Sequence, residues 1–195
     1  MTKHWTIVPY TSVGLLKLGM SVKEVSKFNS TIGKPEIREG GLREILSKVE
    51  EKYPEGKKLV EGGFDFEKLE ESTTELRDAV LCDYFGGRLS TITLRADGPV
   101  SVFLEDVNLF DTDTVHLLQT LERANGGALV SASGVFFNKL SIMLGSYYSQ
   151  YQKTFYESDE QDDRNVGVYS HDAIARLRAI PIMKFEPISF LFQTD

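Results

Sequence analysis

Apolar and polar positions alternate most clearly in the middle of the chain. In 79–94 apolar residues flank Gly86-Gly87, and Leu89, Ile92 and Leu94 then recur at strand-like spacing. That pattern predicts a β-hairpin turned at the glycine pair. The segment 128–144 has similar grammar, with Asn138-Lys139 ahead of Leu140-Ser141-Ile142-Met143-Leu144, so Leu89-Ser90 and Leu140-Ser141 align at a shift of 51 positions. A helix signal precedes each hairpin. Ser21-Val22-Lys23-Glu24 forms a capping box, in which hydroxyl and carboxylate satisfy orphan amides, and Val22, Val25 and Phe28 follow at helical spacing. The second signal is Asp111-Thr112-Asp113-Thr114, with Asp111 the predicted N-cap. Val115, Leu117, Leu118 and Leu121 follow it, and Gly126-Gly127 marks the stop. Strand-like runs, Gly14–Leu18 and Val102–Val107, stand before the two helices.

The chain thus reads as two related β-α-β-β units within a single compact domain over 1–195, one at about 5–95 and one at about 100–192. The predicted class is α+β, with largely antiparallel sheet and helices on one face. The first unit carries a charged insertion at 34–77. Within it Leu42, Ile45, Val49 and Tyr53 predict a helix near 41–53, supported by the Glu44–Lys48 pairing, and Glu61–Phe66 predicts a loop. After the second hairpin come an aromatic segment, Tyr147–Tyr151, and an acidic run, Glu157–Asp163, which reads as a surface loop. Asn165–Tyr169 and Phe185–Phe192 predict two further strands, the latter confined by Pro187 to an edge or bulge.

Charge narrows the partners. Of 195 residues 22 are Lys or Arg and 29 are Asp or Glu, a net charge of -7, which repels phosphate backbones and anionic membrane surfaces. Neither nucleic acid nor a membrane is an expected partner. No apolar stretch approaches the roughly 20 residues of a membrane span, and Thr6-Ile7-Val8 runs into Pro9 rather than into a secretory core. The lone Cys82 forms neither an intramolecular disulfide nor a cysteine zinc site, which fits a reducing compartment and predicts a cytoplasmic protein.

Catalytic chemistry lacks a motif. His4 reads as N-terminal tail, His116 lies in the second helix three residues after Asp113, and His171 stands beside Asp172. No paired-histidine spacing is present, so no metal or cofactor is expected. The acidic run lacks the glycine and the terminal Glu of a calcium loop. The glycine pairs at 40–41, 62–63, 86–87 and 126–127 have no phosphate-loop context and read as turns and a helix stop. Cys82 reads as a small buried strand residue, and Ser133-Gly134 as a turn rather than a nucleophile elbow. The remaining candidate is electrostatic recognition of a basic protein by Glu157, Asp159, Glu160, Asp162 and Asp163, with a lesser contribution from the Glu-rich segment near 67–75.

The stretch Val13–Val25, with Gly19-Met20-Ser21 followed by Glu24-Val25, resembles an opening found in cytoplasmic immunity proteins of bacterial toxin systems. It is also similar to openings in tandem modules like those of β-lactamase inhibitor proteins and outer-membrane assembly lipoproteins. The second unit carries Asn108-Leu109-Phe110-Asp111 where the first has Leu18-Gly19-Met20-Ser21. The resemblance implies a non-enzymatic protein that neutralises a toxin by direct binding, and it assigns no binding residue. Two alternatives stand beside it. One is a small enzyme in which His116 or His171 meets carboxylates only in the fold. The other is a structural assembly subunit, a homodimer joined through an exposed sheet edge.

Overall fold

The computed structural model of the protein describes residues 3–38, 72–78, 80–156, 163–179 and 184–191. The predicted helix near 41–53, the loop Glu61–Phe66 and the glycine pairs at 40–41 and 62–63 lie outside the described residues.

Two features of the central hairpin arise from local chemistry. In β6 (Val80–Phe85) buried and part-buried residues alternate, and in β7 (Arg88–Arg95) Leu89, Ile92 and Leu94 are buried. Gly86 and Gly87 take left-handed backbone angles of 55° and 70° between them, conformations cheap for glycine alone. A register shift at Asp83/Tyr84 adds local twist. β7 pairs on its other side with β15 (Asn165–Tyr169), and this hairpin becomes the middle of a nine-stranded antiparallel sheet. On one flank β6 pairs with β5 (Ser72–Arg77), and β5 with the edge strand β4 (Glu36–Arg38). On the other flank β15 is followed by β12 (Ile142–Gly145), β11 (Gly134–Phe137), β10 (Ala128–Ser131) and the edge strand β16 (Glu186–Ile188). Pro187 sits in that edge strand, where its missing N–H costs no central ladder bond.

A smaller five-stranded sheet contains β1 (Lys3–Val8), β2 (Ser12–Val13), β3 (Leu16–Lys17), β8 (Val100–Leu104) and β9 (Val107–Asn108). Its β1 and β8 run parallel, with Trp5 opposite Val102. The strand predicted over Gly14–Leu18 is realised only at Leu16–Lys17, after a tight turn at Gly14-Leu15, and the residues predicted to be an N-terminal tail form β1, which carries His4. A Cβ on Gly14 would lie 2.5 Å from the Trp5 ring, so glycine there is a packing requirement. A short hairpin, β13 (Tyr148–Ser149) with β14 (Thr154–Phe155), stands apart as a third sheet.

Among the described residues the helices are few, and the fold is a sheet-dominated α+β structure. α1 (Val22–Val25) starts at Ser21 with both capping-box bonds made, and continues through a 3-10 turn, Ser26–Phe28, into α2 (Asn29–Ile32). α3 (Thr114–Asn125) is capped by Asp113, whose carboxylate accepts the His116 N–H at 2.8 Å, rather than by the predicted Asp111. It ends at Gly126, left-handed at 75°. α4 (His171–Ala179) was not foreseen. The Ser170 hydroxyl accepts the Ala173 N–H at 3.1 Å at its start.

The sheet is covered on both faces. Val135, Phe137, Ile142 and Leu144 join α1 and α3 residues such as Val25 and Leu117 in the main core. The alternate positions Phe136 and Met143 point the other way and pack with Tyr169 and with Ala173, Ile174 and Leu177 of α4. The expectation of helices on one face is therefore corrected by α4. Leu140 and Ser141, aligned above with strand residues Leu89 and Ser90, lie in the turn before β12, Ser141 with a backbone φ of 54°. Each large buried apolar side chain contributes about 1.5–3 kcal/mol to this packing.

The charged stretch at 34–77 is also more than a solvated insertion. Both of its described ends are strands of the large sheet, and Glu75 and Arg77 are buried there. The Arg77 guanidinium donates to the Glu75 carboxylate at 2.8 and 3.2 Å, to the Asn29 side chain at 2.6 Å and to the Gly33 carbonyl at 2.9 Å. The Tyr84 hydroxyl donates to the same carboxylate oxygen at 2.8 Å. This network ties β5 and β6 to both ends of α2.

Candidate functional site

Arg164 organises the described end of the acidic run. It follows Asp163, which is exposed, while Arg164 itself is 3% exposed. Three bonds and contacts hold it. Its guanidinium donates to the Thr114 hydroxyl at 2.6 Å, its carbonyl accepts the Ala96 N–H at 2.9 Å, and its charge lies 4.7 Å from the centre of the Tyr147 ring. Tyr147 is in turn fixed by donation to the Leu109 carbonyl at 2.6 Å. Burial pushes the Tyr147 hydroxyl well above its ordinary pKa, opposed in part by the charge of Arg164, so it stays a neutral donor.

The consequence is a link between the described end of the acidic run and the start of α3. Asp163 is held beside Arg164, which is bonded to Thr114 at the start of α3, next to the exposed Asp113. Asp111, also exposed, precedes it and accepts from the Asn108 side chain. Glu157, Asp159, Glu160 and Asp162 lie outside the described residues, so of the predicted acids Asp163 alone is placed. Of the Glu-rich segment near 67–75, positions 67–71 lie outside as well, and Glu75 is buried in the ion pair with Arg77 rather than available to a partner. Sequence reasoning treated Asp111 only as a cap and passed over Arg164. The legible signal for the latter was a lone cation at the junction between an acidic run and a predicted strand.

The histidines do not converge. His4 stacks on Phe103 with ring centres 4.8 Å apart, His116 lies in the first turn of α3, and His171 stacks on Tyr10 at 3.9 Å. All three are exposed. Among the described residues no three His, Cys, Asp or Glu side chains gather as a metal cage. A shallow cavity of about 270 Å³ at the end of α3 is lined by residues including Asn125, Asn138 and Lys139, with no histidine or carboxylate. Cys82 is buried in β6, and burial pushes its thiol up to about 12, far from the reactive thiolate range.

One part-buried carboxyl has its pKa raised. Asp83, part-buried on the sheet face toward α4, has its pKa raised by burial, partly opposed by the Thr74 hydroxyl that donates to it at 2.7 Å. Arg176 of α4 stacks 3.8 Å above the ring of Phe85, two residues on. Because the folded pKa exceeds the unfolded one, the native state holds this proton more tightly. Acidification from neutral pH toward the ordinary carboxylate range therefore favours the fold at this group, and the benefit is lost as pH rises through the folded pKa. Asp83→Asn is expected to be as stable as the wild type or more so at neutral pH, and to lack this acid-side gain. Urea unfolding at neutral and weakly acidic pH measures the difference.

Comparison of the chain with protein-family models, characterised proteins and solved structures finds no match. What is established is the class, a sheet-dominated α+β protein. Among the described residues no helix is long and apolar enough to cross a membrane.

Proposed function

We propose that this is a non-enzymatic protein-binding protein, an immunity protein that neutralises a bacterial toxin by direct contact in the cytoplasm. The observation that carries the reading is the Arg164 anchor, which brings the end of the acidic run to the first turn of α3 beside Asp113. An acidic surface set on a rigid core steers a basic partner, raising the association rate and excluding wrong partners. Glu157, Asp159, Glu160 and Asp162 extend that surface in sequence. The exposed, separated histidines give the enzyme alternative no comparable support.

The two-unit reading belongs to the same proposal. It is supported by the parallel pairing of β1 with β8 and by the antiparallel runs β5–β6–β7 and β10–β11–β12, each following a helix. In that reading the two hairpins are joined through β15, which lies between β12 and β7, into one wide sheet whose connecting loops face the partner.

Co-expression with the product of the neighbouring gene tests the function. A stable complex is expected. Asp111→Lys with Asp163→Lys should lower the association rate by about 10-fold or more and flatten its salt dependence, while leaving the melting temperature close to wild type. Absence of a complex, or a double variant that associates at the wild-type rate, refutes the proposal.

A further inference from the structure

We infer that β10 and α3 form a seat for an extended peptide bearing a phenylalanine, and that residues 185–190 of the chain are its resident, releasable occupant. The site goes beyond the acid-mediated contact above and does not depend on it.

The C-terminal segment wraps the edge of the large sheet. Glu186, Pro187 and Ile188 pair with Val130, Leu129 and Ala128 of β10, a ladder of three residues. Phe185 lies on one side of that edge, its ring centre 5.6 Å from that of Phe136 in the cluster around α4. Phe190 lies on the other side, fully buried in the main core, with its ring centre 5.2 Å from that of Tyr148 and 6.2 Å from that of Phe155. Between the two rings Glu186, Pro187 and Ser189 are exposed. The segment is a clip with one ring on each face of the sheet.

Two side chains of α3 hold the backbone of Phe190. Gln119 donates through Nε2 to its carbonyl at 3.0 Å, and the Glu122 carboxylate accepts its N–H at 2.6 Å. Being three positions apart, they share a helix face and bracket a single residue. Sites that add a peptide strand to a sheet combine the same two elements. Main-chain bonds, which any extended segment can make, supply affinity, and a pocket for one side chain supplies selection. Here the pocket is the aromatic one that receives Phe190.

Glu122 makes the occupant releasable. It is 4% exposed, and among the described residues no Lys, Arg or His forms an ion pair with it. A buried carboxylate held by an amide rather than by a cation keeps much of its desolvation cost. Departure of the clip returns that carboxylate to water, which offsets part of the loss of the Phe190 contacts. With only a short ladder at the sheet edge to break, the clip opens without the rest of the sheet.

The probe is a synthetic peptide with the sequence of residues 184–191, added to the full chain. In the wild type the chain's own segment fills the seat, so the apparent affinity is lowered by the fraction of molecules in which the seat is vacant. Full-length Phe190→Ala weakens that occupant and is expected to bind the peptide about 100-fold more tightly than the wild type does. A peptide carrying Phe190→Ala should bind neither chain. Equal affinity of the two chains for the peptide, or equal binding of the two peptides, overturns the seat. Amide hydrogen exchange of the wild type gives a second test that needs no folded variant. The Phe190 amide should exchange at least about 100-fold faster than the amides of β11, because local opening releases it. Exchange at the β11 rate would mean that the clip leaves only on global unfolding, and would likewise overturn the inference.

Discussion

Arg77→Ala is expected to cost about 3–5 kcal/mol of stability, because it leaves the Glu75 carboxylate buried with its cation gone. The Glu75 and Arg77 side chains are 1% and 0% exposed, and the guanidinium meets Glu75, Asn29 and the Gly33 carbonyl together. After the substitution, the Tyr84 hydroxyl is the remaining described side-chain donor to Glu75, and the α2 groups lose their donor. Against a total of about 5–15 kcal/mol, that loss is a large share of the stability. Urea unfolding of the single variant measures it. The double variant Glu75→Leu with Arg77→Met should recover most of the loss, since an apolar pair of similar volume avoids the uncompensated charge. A single variant that loses less than about 1 kcal/mol, an ordinary surface effect, contradicts this role for the pair.

Gly134→Ala should be comparably damaging, by about 2–5 kcal/mol from steric overlap and backbone strain together. Gly134 begins β11 at a φ of 141°, and an added Cβ would stand 2.2 Å from the Leu144 carbonyl oxygen and 2.9 Å from its carbon. Those atoms are the backbone of β12, so relief requires parting two strands in the interior of the large sheet. A melting-temperature comparison with Ala substituted at Gly87 separates the causes. That site shares a positive φ but has nothing within 4 Å of the added atom, so strain alone acts there. Equal losses at both positions would eliminate the clash as the larger cause at Gly134.

Local chemistry was legible without the fold. The capping box at Ser21–Glu24, the turn at Gly86-Gly87, the stop at Gly126-Gly127 and the edge position of Pro187 each depend on residues close in sequence, and each stands where the pattern puts it. The capping box also explains why Glu24 ionises below its usual value, chiefly through the Ser21 N–H it accepts. The N-cap of α3 was misplaced by two residues because Asp111 and Asp113 offer the same capping oxygen. Only the backbone path after Leu109 decides between them. β2 escaped because a two-residue strand beside a turn has no periodicity to read.

The candidate site was legible only as composition. A run of acids from Glu157 to Asp163 is visible in any reading, but its attachment to α3 depends on Arg164 reaching Thr114, fifty positions earlier. Burial of an arginine cannot be inferred from its neighbours in the chain. Tyr151 likewise shares an aromatic segment with Tyr147 and Tyr148, and it is exposed while they are buried according to which of them the core can reach.

What the amino-acid sequence determined by itself is the set of short-range decisions: where turns close, where helices begin and end, and that the chain is acidic. Tertiary structure decided which strands became neighbours, that α4 covers the second face of the sheet, and which charges went inside. In β5 the alternation is inverted, with Glu75 and Arg77 at the buried positions and Leu76 part-exposed. A solvated pair and a buried ion pair have the same spelling two residues apart. The physical reason they differ is Tyr84, Asn29 and the Gly33 carbonyl, partners that only the folded chain brings within hydrogen-bonding distance.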